Sequence, residues 1–77
     1  MEKIKLIWDF RGPDSLKTAE HHQIHLNEFI QREQLDSSAG IEPVNEVHCI
    51  AFIVVNKAEM IAVRDVLRPQ RGELITS

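Results

Sequence analysis

The segment from Val47 to Val55 constrains the fold of this 77-residue chain more than any other feature. It is rich in β-branched residues and apolar on both alternations, which predicts a central strand with apolar side chains on both sheet faces. Each face of such a strand needs a cover. A chain this short has little material to supply two covers, because small domains bury only about 60% of their unfolded surface.

The segments before this strand predict a strand followed by a helix. Lys3 to Phe10 alternates between apolar and polar residues, as expected for a half-buried strand. Pro13 and Asp14 are typical of a helix start, so we expect a helix from near Asp14 to about Gln34. Its apolar stripe comprises Leu16, Ala19, Gln23, Leu26 and Ile30, with Phe29 on the margin.

The remaining segments predict a loop, a second helix and two short strands. Residues 36–40 are rich in turn formers, and Pro43 confines any strand over residues 41–44 to a sheet edge. Asn56 with Glu59 resembles a helix cap, and Pro69 ends the helix that follows. Residues 73–76 are a candidate final strand.

This order predicts an α+β fold, a two-layer ferredoxin-like sandwich of order β-α-(β)-β-α-(β) spanning residues 1–77 as one domain. Two helices cover one face of its antiparallel sheet, so one apolar face of the central strand lacks an intrachain cover. We expect a homodimer joined through or beside the sheet, because symmetric pairing commonly buries such faces. The alternative is that residues 35–46 fold over the open face within one chain.

Composition excludes several classes of protein. The net charge of -3 and a pI near 5.7 provide no general attraction to phosphate backbones, so we expect no nucleic-acid partner. Cys49 is the only cysteine, which excludes an intramolecular disulfide and favours a reducing compartment. The apolar run from Ile4 to Phe10 is too short and too charged for a signal or membrane span. We expect a cytoplasmic protein without a membrane partner.

Three histidines within five residues form the most unusual cluster in the sequence. On a helix, His21 and His25 lie one turn apart on the same flank as Glu28, and together they supply a partial shell for zinc or another divalent metal. The ligand set is incomplete, and the metalloprotease pattern is absent. The alternative is a solvated flank that binds metal only adventitiously, so no cofactor is predicted.

Two other histidines are candidate acid–base groups. His22 borders the apolar stripe of the first helix, and His48 lies on the central strand. If His48 faces the helices, it meets His22 across the layer and the two can tune each other's pKa. The alternative is that each is a hydrogen-bonded packing residue. Cys49 points away from His48 on the strand and reads as an inert apolar residue.

Arginines supply two candidate anion sites. Arg11 stands where the first strand gives way to a helix, a position suited to binding a carboxylate or phosphate, or else it pairs with Asp9 or Asp14. A second group, at and beyond the end of the second helix, comprises Arg64, Arg68 and Arg71. The helix dipole is sufficient to explain that group, and a regulatory anion site is the alternative.

With His22 and His25 on a helix that follows a strand ending Trp8-Asp9-Phe10, the chain resembles the dimeric α+β barrel superfamily. The resemblance implies two ferredoxin-like subunits paired sheet to sheet. It also implies a cleft between sheet and helices that holds a small organic ligand, with His22 and His48 lining it and Trp8 or Phe52 as an aromatic wall.

These observations predict a noncatalytic ligand-binding or protein-interaction module that acts as a homodimer. Its candidate ligand-binding residues are Trp8, Arg11, His22 and His48. One alternative is a small-molecule enzyme with His22 and His48 as acid–base groups. The other is a metal-binding protein that uses His21, His25 and Glu28.

Overall fold

Two long strands form the centre of the sheet in the computed structural model, which describes residues 2–75. They are β1 (Lys3–Arg11) and β3 (His48–Asn56), paired antiparallel from Lys3 opposite Asn56 to Arg11 opposite His48. The prediction of a central strand at this point in the sequence is confirmed. Both strands are rich in branched apolar residues, which suit a pleated surface packed on its neighbours.

The first helix, α1 (Ser15–Glu33), follows a turn that requires glycine. Gly12 adopts a φ of +116°, and its amide donates to the carbonyl of Val47 at 2.8 Å, joining the end of β1 to the start of β3. The helix ends at Glu33, and the next residue, Gln34, has a left-handed backbone conformation. Phe29 is central to its buried stripe, whereas Leu16 is 47% exposed. The predicted stripe was therefore displaced from the buried one at its first turn.

The first edge strand, β2 (Ser38–Asn45), is longer than predicted. It pairs antiparallel with β3 and takes in residues 38–40, which the sequence assigned to a loop. Gly40 lies beneath the ring of Phe52, and a Cβ there would be only 2.8 Å from that ring. A glycine that looks like a turn former is thus required by packing. Because β2 extends the sheet, the alternative that residues 35–46 cover the open face is wrong.

The second helix, α2 (Met60–Leu67), begins after a 3-10 turn at Lys57–Glu59. Asn56 precedes the turn but makes no side-chain cap hydrogen bond. The last strand, β4 (Arg71–Ile75), pairs antiparallel with β1, so the sheet order is β2-β3-β1-β4. The predicted terminal strand exists but starts two residues earlier, and Thr76 lies outside the described residues.

Both helices contribute to a core on one face of this antiparallel sheet, so the two-layer α+β prediction is confirmed at that level. On β3 the covered set is the odd-numbered one, Cys49 to Val55, with exposures of 0% to 1%. We call the other side the open face. Along β1 and β3 the open face comprises Lys3, Lys5, Ile7, Asp9, Arg11, His48, Ile50, Phe52, Val54 and Asn56. Among residues 2–75, no helix has the length and apolar character needed to cross a bilayer.

Candidate functional site

The open face carries a compact ionic cluster built on Asp9. His48 Nε2 lies 2.9 Å from Asp9 Oδ1, and Arg71 contacts both carboxylate oxygens, with Nε 3.0 Å from Oδ2 and Nη2 3.2 Å from Oδ1. A bidentate guanidinium contact of this kind is among the stronger and more directional ion pairs. Arg71 Nη1 also donates to Glu73 at 3.2 Å. One carboxylate therefore joins side chains from β1, β3 and β4.

The strands fix the geometry of this Asp9 cluster. Asp9 is next to Ile50 in the register of β1 with β3, and its backbone amide donates to the side chain of Gln70 at 3.0 Å. The amide of Gln70 in turn donates to the carbonyl of Ile7 at 3.0 Å. The side chains of His48 and Asp9 are only 13% and 17% exposed, whereas that of Arg71 is 47% exposed.

Arg71 and His48 determine the charge state of Asp9. Hydrogen bonds from Arg71, then from His48, lower the pKa of the Asp9 carboxyl from 3.8 to about 2. The contact with Asp9 also raises the pKa of Arg71. Asp9 is therefore an anion at any physiological pH, and it orients the His48 imidazole through Nε2. A carboxylate with both oxygens engaged is a weak base and is better suited to positioning a neighbour than to taking a proton.

His22 lies on the opposite side of the sheet from His48. Its ring contacts Trp8 edge-on with centroids 4.5 Å apart and Phe10 at 5.5 Å, both on the helix-covered face. The expectation that His22 and His48 meet in one cleft is wrong, because His48 belongs to the alternation that points away from the helices. The four predicted ligand-binding residues therefore form two separate pairs. Trp8 contacts His22 on the helix-covered face. Arg11 is opposite His48 on the open face.

Burial lowers the pKa of His22, and the positive charge of nearby His25 adds to this effect. His22 Nε2 is buried and has no hydrogen-bond partner among residues 2–75. Its imidazole therefore packs as an aromatic ring in surroundings that disfavour its protonated form. Cys49, also on this face, is 1% exposed, and burial raises the pKa of its thiol, which keeps it protonated.

The proposed metal ligands lie on the exposed flank of α1. His25 Nδ1 is 3.4 Å from Glu28 Oε1, with both side chains about two-thirds or more exposed. Within residues 2–75, no three histidine, cysteine or acidic side chains are close enough together to hold a metal ion. His21, His25 and Glu28 do not form a ready-made site, and metal binding by them stays a prediction.

No family model, curated protein or solved structure matches this chain. The function must therefore be inferred from the geometry.

The sequence did not predict that Asp9 and Arg71 pair with each other. They lie 62 positions apart, so no local spacing pattern links them. The sequence suggests Asp9 only as a partner for Arg11, and Arg11 forms no ion pair with any residue in the range 2–75. The predicted strip of three arginines also separates, because Arg71 turns to the open face while Arg64 stays on α2. The sequence does contain one sign of this cluster, because Asp9 is an acidic residue within an otherwise largely apolar part of β1.

Proposed function

We propose that this protein is a noncatalytic interaction module that acts as a homodimer joined through its open face. The observation that carries the proposal is a sheet face with an apolar centre and no helix over it. Both helices pack on the opposite side, where they share one core cluster with the covered alternation of β3. A second sheet is a common cover for such a face in α+β and sandwich folds.

The apolar centre of the open face supports burial against a partner. Ile7 and Ile50 are 1% and 3% exposed, so both are already buried within the single chain. Phe52 and Val54 are only half-buried. Lys5 lies over the ring of Phe52, with Nζ 4.4 Å from its centroid. Phe52 and Val54 therefore supply the apolar surface of the open face that a partner can still cover.

The charges on the open face support a second copy as that partner. Lys5 lies two positions from Ile7 toward one end of β1, and Asp9 lies two positions toward the other. A twofold axis across the strands at the level of Ile7 brings Lys5 opposite Asp9 of the partner subunit. The same axis brings Val54 opposite Ile50 of the partner subunit. Opposite charges and apolar surfaces then face each other in a self-complementary interface.

The proposal includes the finer description of the fold. The element order and the sheet order β2-β3-β1-β4 support a ferredoxin-like topology, and subunits of this kind pair sheet to sheet in the superfamily that the chain resembles. A cytoplasmic location is also part of the proposal, supported by a single cysteine that is free and buried.

Sedimentation velocity over a concentration series tests the proposal. We expect the full chain to sediment as a species of twice 8.9 kDa. Val54→Glu places a charge in the apolar centre of the open face and should weaken dimerisation by a factor of ten or more, roughly the effect of burying one unpaired charge. The matched control is Val66→Glu, because Val66 is 64% exposed on α2.

The control variant should sediment like the parent chain. A parent chain that stays at 8.9 kDa at every concentration, or two variants that dissociate equally, would contradict the proposal.

A further inference from the structure

A cleft lies between α2 and the outer strand β4, on the helix-covered side of the sheet. Helix α2 has only eight residues and reaches the core through Val63, with Met60 and Leu67 packed beside it. It leaves a strip along β4 uncovered, where Leu74 is 56% exposed. The cleft encloses about 370 Å³, which is within the range of small-molecule sites.

The floor and walls of this α2–β4 cleft are mainly apolar. Gly72 contributes no side chain to the floor, and a Cβ built there would meet Leu6 at 3.4 Å and Ile4 at 3.7 Å, which are ordinary contact distances. The space above Gly72 is therefore available without backbone strain. The apolar lining residues are Ile4, Leu6, Met60, Pro69 and Leu74.

The cleft has one cationic group available to a ligand. Arg71 and Glu73 belong to its lining, but the Arg71 guanidinium contacts both Glu73 and Asp9. Arg64 also lines the cleft, and its contact with the adjacent Asp65 is a long 3.5 Å between side chains that are 53% and 65% exposed. An exposed pair of this kind is weak, so the guanidinium of Arg64 is available to another anion.

We propose that the α2–β4 cleft binds a small monocarboxylate with an apolar body. The carboxylate pairs with the guanidinium of Arg64, and the apolar body lies over Gly72 against Met60 and Leu74. Charge complementarity selects an anion, and the apolar floor selects against a fully polar one. The cleft is on the other side of the sheet from the open face, so this proposal does not depend on dimerisation.

A nitrogen-15 NMR titration of the full chain with sodium octanoate, below its micellar concentration, tests the proposal. We expect saturable shifts at the amides of Gly72, Leu74 and Met60. Octanol, which has the same chain without the charge, should bind more weakly. Arg64→Gln should weaken octanoate binding by about fivefold, as for loss of one charge-assisted hydrogen bond at a partly exposed site. Arg68→Gln, which removes a neighbouring arginine outside the cleft, is its matched control.

Gly72→Leu fills the cleft and should abolish the shifts, whereas Lys17→Leu, which adds a leucine on exposed α1, should not. If Gly72→Leu is unfolded, as shown by loss of its dispersed NMR spectrum, the comparison of the two arginine variants and of octanol with octanoate still tests the proposal. Shifts that scatter over the surface without saturating, equal weakening by both arginine variants, or octanol binding as tight as octanoate would overturn the proposal. Cleft amides that shift with protein concentration alone would assign the cleft to a second copy and also overturn it.

Discussion

At the scale of single residues, His22 shows most clearly how the fold changes the properties of a side chain, because its burial disfavours protonation of the imidazole. Its ring packs against Trp8 and Phe10, and its Nε2 atom is buried without a hydrogen-bond partner in the part of the chain that the structure describes. Burial lowers its pKa, so protonation is disfavoured in the folded state. The histidine thus serves here as an aromatic side chain, at a cost in stability that depends on pH.

That cost predicts how His22→Phe changes the pH dependence of stability. In the unfolded chain His22 titrates near 6.5, above its pKa in the folded chain, so the unfolded state binds the proton more tightly. The parent protein should lose stability as the pH falls below 6.5, and His22→Phe should remove that part of the loss. At pH 8 the variant should equal the parent or exceed it by about 1 kcal/mol, since an apolar ring replaces an imidazole whose buried Nε2 has no hydrogen-bond partner among residues 2–75.

Urea unfolding at pH 8 and pH 5 measures the effect of this variant. His21→Phe, at an exposed position on the same helix, is the control and should keep the parent's pH dependence. Equal behaviour of the two variants, or a His22 resonance that titrates at or above 6.5, would show that burial does not act on this group.

At the scale of elements, the Asp9 cluster connects the edge strand β4 to the centre of the sheet. Strand β4 has five residues and pairs only with β1 among the described strands. Asp9 on β1 is bound by Arg71 from β4 and by His48 from β3. The side-chain bonds cross the same strands as the backbone ladder, so they stabilise the order β3-β1-β4.

Asp9→Asn should lower the free energy of unfolding at pH 7 by roughly 1–3 kcal/mol, because a charged acceptor of three bonds becomes a neutral group with one acceptor. The pKa of Asp9 is lowered from 3.8 to about 2, so the carboxylate's contribution is complete above pH 3.8 and is lost as the pH falls through 2. The difference between parent and variant should shrink over that window.

Chemical denaturation between pH 7 and pH 2 follows this difference. Asp65→Asn removes an exposed carboxylate on α2 and should leave stability within about 0.5 kcal/mol of the parent. Parallel pH profiles for the parent and Asp9→Asn would mean that the cluster contributes nothing to stability.

The elements also show what the sequence could predict. The alternation in β1, the helical spacing in α1 and the run of β-branched residues in β3 are strong local signals. The sequence therefore predicts each of these elements to within one or two residues. The early part of β2 was missed because Gly40 looks like a turn residue, and only the ring of Phe52 on the neighbouring strand explains it. The covered face of β3 was unpredictable because both alternations are apolar. Because the odd-numbered residues of β3 face the helices, His48 lies on the open face with Asp9 and not on the covered face with His22.

At the scale of the whole molecule, the two sides of the sheet carry different features. The covered side holds the core and, at its edge, the α2–β4 cleft. The open face holds the Asp9 cluster beside the half-buried Phe52 and Val54. Pairing of two open faces would give a four-layer particle with helices outside and two sheets inside. In the proposed dimer, the open face is therefore the interface between the subunits.

An isotope-filtered NOE experiment on a mixture of carbon-13-labelled and unlabelled chains tests this interface, because it detects only contacts between copies. We expect intermolecular NOEs between the methyl groups of Val54 and Ile50, and between Phe52 rings. Intermolecular NOEs confined to other exposed apolar residues, such as Ile61 or Leu74, or a complete absence of them at millimolar concentration, would contradict it.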